Sequence, residues 1–194
     1  MRLGAASFVL AATFGCQTAT RSDGDGRLVA ESQGEQATVL RTRLATAIYA
    51  HDPGGDTVFV LSDLPREALL EGNLPRGQVL IIDLLWPPKA GSTPINGDAT
   101  NTSIRQIVLV GDEVGSYAGA GFAMPSGSPD NGTLRVELWD TTIRLESASA
   151  GFRDMLSPAT LTGGFTATRD DAAVQRIMMR MRASTLATSA FASR

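Results

Sequence analysis

The stretch TLRVELWDTTIRLE, residues 133–146, decides the fold. Leu134, Val136 and Leu138 share one parity, with Arg135 and Glu137 between them. Past Trp139, Asp140 and Thr141 the apolar residues change parity, to Ile143 and Leu145. Period two marks a strand with one buried face. A slip of one residue inside the run is what a β-bulge, or a bend between sheets, produces.

The same period recurs on both sides of this run. Residues 38–49 alternate, with Leu40, Leu44 and Ile48 opposite Arg41 and Arg43, and predict one long strand. The cluster His51-Asp52-Pro53-Gly54-Gly55 is a turn, and residues 57–61 are a short apolar strand. Pro65 to Gly72 predicts a two-turn helix. Residues 78–86 are apolar throughout except Asp83, as a strand covered on both faces would be. Pro87 and Pro88 end it. Residues 87–101 read as a long loop that holds Lys89, the only lysine, and loops of this length are often functional. Residues 103–110 and 114–123 predict a hairpin around Gly111-Asp112-Glu113. Phe152, Met155 and Leu156 predict a helical turn before Pro158, and residues 160–168 a last strand. Val174, Ile177, Met178 and Met181 then fall at i, i+3, i+4 and i+7, one stripe on a helix of about 14 residues. Thr168 to Asp171 reads as its capping box. Arg176, Arg180 and Arg182 lie off the stripe. The expected fold is mostly β: an antiparallel β-sandwich or half-open barrel of about seven strands, with a C-terminal amphipathic helix packed on it.

The N-terminus reads differently. Arg2 precedes an apolar run to Gly15, too short for a bilayer that needs about 20 residues and fitting the apolar part of a secretory leader. Thr13 and Gly15 stand at −3 and −1 relative to Cys16, the only cysteine. Taken alone, the residues also fit an ordinary secretory leader or a first core strand. Together, charge, run length and small-residue spacing resemble the lipobox segment of bacterial lipoproteins, and the resemblance covers only this segment. It implies cleavage before Cys16, diacylation of that cysteine, and an outer-membrane rather than inner-membrane destination, since Gln17 is not Asp. Two acyl chains are what stable anchoring needs. The expected organisation is a signal peptide at 1–15, lipidated Cys16 with a flexible linker through 36, a single β-rich domain at 37–183, and a frayed tail at 184–194. The linker is polar, and Asp23 and Asp25 within it lack the further ligands of a calcium loop.

Composition narrows the function classes. The chain has 194 residues, a net charge of −3 and mean hydropathy near zero. Mild acidity gives no footprint for nucleic acid. One histidine and one cysteine exclude the common zinc sites and an intramolecular disulfide, so no metal or cofactor is expected. There is no Gly-x-Ser-x-Gly elbow, P-loop or Gly-x-Gly-x-x-Gly. A Ser-His-Asp triad would have to use His51, beside a turn.

Carboxylates remain as the available chemistry. Asp83 inside an apolar strand is the first catalytic candidate and Asp140 at the slip the second; pairing of Asp83 with Arg105 or Arg135, and turn chemistry at Asp140, are the alternatives. Gly115, Gly119 and Gly121 share a face with Tyr117, so something approaches that backbone closely. It is either a ligand or the protein's own Trp86, Trp139 or helix. Tyr117, the three glycines and Lys89 are therefore the candidate ligand surface. The sequence leans away from catalysis, toward an envelope lipoprotein that binds or scaffolds. A hydrolase using paired carboxylates and a carrier of an apolar ligand are the alternatives. Expected partners are the membrane, through the anchor, and an envelope protein or small apolar molecule.

Overall fold

The computed structural model describes residues 24–34, 37–71, 76–87 and 100–192, with residues 184–192 described by backbone alone. Nine strands form one sheet: β1 (Gly24–Ser32), β2 (Val39–Arg43), β3 (Thr46–His51), β4 (Thr57–Ser62), β5 (Gly77–Leu84), β6 (Thr102–Val110), β7 (Glu113–Ser126), β8 (Thr133–Ala148) and β9 (Ala159–Arg169). Their order is β2-β1-β9-β3-β4-β5-β6-β7-β8, and β8 also pairs with β9. Two helices, α1 (Arg66–Leu70) and α2 (Asp171–Ala192), accompany them. The sheet therefore curls back on itself. One edge of β9 takes β8 and the other takes β1, then β3 over only two residue pairs, Ile48 with Thr168 and Tyr49 with Arg169. That parallel joint is too short to close a barrel, and the antiparallel half-open form expected from the strand pattern is what results.

The inside of the curl is the main core. Tyr49, Phe59, Leu61, Leu80, Ile82, Val136 and Phe165 fill it. Phe59 packs edge-on against Phe165 at 5.5 Å between ring centroids. A second core lies outside, where α1 and α2 cover β3 to β6. Ile48, Val60, Val79 and Ile81 meet Leu69, Val174, Ile177 and Met181 there. This is why β4 and β5 carry apolar residues at both parities: each face is covered, and each fully buried aliphatic side chain contributes roughly 1.5–3 kcal/mol.

The bulge forms where the parity slips. The β8–β9 register shifts between Leu138 and Thr141, and Asp140 takes φ 47°. Several expectations need correction. Residues 38–49 are two strands, because Leu44 donates to Gly26 and Ala45 to Ser62, so the halves pair with different neighbours. Parity changes there too: Leu44 faces the inner core and Ile48 the helix side. Residues 24–32, expected within the tether, form β1, paired with β9 on one side and β2 on the other. Their polar composition concealed a strand that buries only Leu28 and Ala30. Phe152 to Leu156 form no helical turn; Phe152 and Leu156 turn inward while Met155 is exposed. Finally, α2 runs on through Ala192 rather than ending near 183.

Candidate functional site

The C-terminal helix is fixed at its start and middle. Asp170, not Thr168, caps it, its carboxylate accepting from the Ala173 amide at 2.9 Å. The same carboxylate pairs with Arg66 at the start of α1. Asp171 turns back to accept from the His51 amide at 3.0 Å and from Arg169. The His51 amide lowers the Asp171 carboxyl pKa most, against a smaller opposing effect of burial. Further along, Arg180 donates to the carbonyls of Ala68 and Leu69 at 3.1 and 2.8 Å. These are among the last α1 carbonyls, which lack helical partners. An arginine that lies off the apolar stripe thus ties the two helices together.

Beside this fixed helix, α2 and the outer face of β5, β6 and β7 enclose a cleft of about 330 Å³. Ile81, Ile107, Met178 and Met181 give it apolar walls, and Asp83, Ser103, Arg105 and Arg182 give it polar groups. Register explains the grouping. Asp83 stands opposite Ser103, and Ile81 opposite Arg105, so these four side chains share one face of neighbouring strands. Ser103 donates to Asp83 at 3.1 Å. Arg105 and Arg182 are exposed and take no ion-pair partner among the described residues. The cleft volume lies at the lower end of the range for small-molecule sites, and its make-up, apolar walls with a few convergent polar groups, is typical of them.

The sequence candidates are placed as follows. Asp83 faces this cleft from β5. Asp140 is exposed on the β8 bulge, with β6 and β7 between the two strands, about 14 Å along the sheet at the usual strand spacing. Two-carboxylate glycoside chemistry needs about 5–9 Å. Among the cleft's lining residues, Asp83 is the single carboxylate. His51 bonds through Nδ1 to the Thr57 hydroxyl at 2.8 Å, within the seam that holds α2.

The glycine strip of β7 is occupied from inside the protein. A Cβ on Gly115 would lie 2.3 Å from the Phe152 ring, one on Gly119 1.9 Å from the Thr142 carbonyl oxygen, and one on Gly121 2.3 Å from the Thr141 hydroxyl. The close neighbours are thus Phe152 and β8, not Trp86, Trp139 or the helix. Tyr117 is buried, stacks edge-on against Phe152 and donates to Asp154 at 2.8 Å. Burial, then that hydrogen bond, raises its pKa well above the ordinary tyrosine value. Cys16 and Lys89 lie outside the described residues. Arg105, Arg182 and Ser103 are the polar groups that sequence reasoning did not gather into a site. The signal was available in the shared odd parity of 81, 83, 103 and 105, but it needed the β5–β6 register.

Among the described residues no three His, Cys, Asp or Glu side chains are placed to hold a metal ion, and no helix is long and apolar enough to cross a membrane. Comparison with protein-family models, with curated proteins and with solved structures finds no match.

Proposed function

We propose that this protein is a lipid-anchored, non-catalytic binding module of the cell envelope, and that the cleft beside α2 is where it holds a small ligand. The cleft itself carries the reading. Its apolar walls suit an apolar body, and the guanidiniums of Arg105 and Arg182 suit a carboxylate or phosphate end. Asp83 is the single carboxylate among its described lining residues, so the paired carboxylates of glycoside hydrolysis are not assembled there. The methionines support adaptable packing, since Met fills irregular space and tolerates different ligand shapes. Support for the anchor comes from the leader and from Cys16 immediately after it.

Native mass spectrometry of the protein extracted from its own membrane tests both parts. The expected spectrum shows a diacylated N-terminal cysteine and an added mass from a bound amphiphile. Cys16→Ser should move the protein to the soluble fraction. Turnover of an envelope glycan or peptide by the purified protein, abolished by Asp83→Asn without loss of melting temperature, would replace this reading with the hydrolase.

A further inference from the structure

Both tryptophans of the chain neighbour Phe122. Phe122 on β7 stands in register with Trp139 on β8, and Trp86 packs edge-on against Phe122 at 6.2 Å. Phe122 is buried beneath them, while Trp86, Trp139 and the adjoining Leu85 are 38%, 44% and 57% exposed. Pro87 extends the exposed apolar surface. Large aromatics held together in water, away from the core, mark a surface meant for an apolar or interfacial partner.

The topology says which end of the sheet this is. Gly24 opens β1 opposite Ala167, and Ala167 in turn faces Leu134. At the same end, Leu84 closes β5 opposite Thr57, which faces His51. The chain ahead of β1 therefore leaves the sheet at the end where β5 runs out into Leu85, Trp86 and Pro87. Only residues 17–23 separate Cys16 from Gly24, a reach of at most about 27 Å. A chain of this size has a radius of gyration of about 15 Å, so such a tether restricts which side of the domain can turn to the anchor.

We infer that the Leu85–Trp86–Trp139 surface rests on the membrane interface to which the protein is tethered. The inference relies on the lipid-anchor reading proposed above. Tryptophan is favoured at that depth because its ring is apolar and its N–H can remain hydrated. Beside Trp139, exposed Glu137 pairs with Arg135 at 3.6 Å and Asp140 adds a negative charge, so a zwitterionic lipid surface, rather than an anionic one, is the fitting partner.

The tryptophans are the natural probes. Full-length acylated protein is reconstituted in phosphatidylcholine vesicles, with and without lipids brominated near the headgroup. Expected are a blue shift of tryptophan emission relative to lipid-free protein and quenching by the brominated lipid. In the unacylated Cys16→Ser chain, Leu85→Asp should weaken vesicle binding about tenfold at an unchanged melting temperature. Acylated protein whose emission is neither shifted nor quenched would overturn the inference and leave the anchor standing. Quenching in protein whose Cys16 carries no lipid would uphold the surface and remove the anchor. A blue shift that grows with protein concentration without lipid would mean that a second copy covers the patch, and would overturn the inference.

Discussion

The outer face of the one sheet has two halves. Over β3 to β6 it carries Ile48, Val60, Val79, Ile81 and Ile107, and α1 and α2 lie on it. Over β7 and β8 it passes from Val114, packed on that helix core, and buried Ser116 to Ala120, Glu137, Trp139, Thr142 and Arg144, which are exposed. The backbone is continuous across both, so the difference is one of side chains: the first half is aliphatic and needs a cover, and the second mixes small, polar and charged residues with the exposed Trp139. The cleft lies where they meet, with Met178 and Met181 from the covered side and Ala118 from the bare side. A sheet half under a helix thus creates a step at the helix edge, and the mixed polarity of the boundary residues follows from that step.

The largest effect should come from breaking the cover. Ile177 is fully buried between α2 and the sheet. Ile177→Asp should cost about 3–5 kcal/mol by placing an unpaired charge in that core, whereas Met179→Asp, at a position 63% exposed, should cost less than about 0.5 kcal/mol. Thermal melting of the two variants checks this; equal tolerance would mean that α2 does not sit on the sheet. On the bare half, Gly119→Ala forces a Cβ against the Thr142 carbonyl and should cost about 1–3 kcal/mol through β7–β8 separation. Faster hydrogen exchange confined to those strands would be its signature.

Smaller effects come from single contacts. Arg180→Ala removes both donations to the α1 carbonyls and should cost about 1–2 kcal/mol by denaturant titration. This is more than its place off the apolar stripe implies. The smallest effect is acid-linked. Burial pushes the Asp154 carboxyl up, but the Leu156 amide, the Tyr117 hydroxyl and the Ser157 amide together hold it below the ordinary value. A carboxyl depressed in the folded state adds stability above its unfolded pKa of about 4, and that stability is lost as pH falls through the lower folded value. Asp154→Asn should therefore flatten the fall of melting temperature below about pH 4.

Much of the fold was legible because burial writes parity. The bulge at Asp140, the doubly covered β5 and the stripe on α2 were all visible as patterns of apolar spacing. What stayed hidden was held by contacts rather than by composition. Strand β1 is polar and is kept in place by ladders on both sides. The break at Leu44 shows only once the two halves find different partners. The candidate site was less legible still. Asp83 was recognisable as an oddity in an apolar strand, but Arg105 and Arg182 join it only through register and helix placement. The glycine strip did announce a close approach, and the approaching atoms belong to Phe152 and β8.

The central claim is that the step at the edge of α2 is a binding site. Titration calorimetry with decanoate, an apolar body with one carboxylate, tests it most directly. The account predicts a single saturable site, weakened about tenfold by Arg105→Ala through loss of a charge-assisted contact and weakened also by Met178→Asp. Val39→Asp, at an exposed position on β2 that does not line the cleft, should leave it unchanged. No saturable binding, or binding indifferent to Arg105→Ala and Met178→Asp, would contradict it.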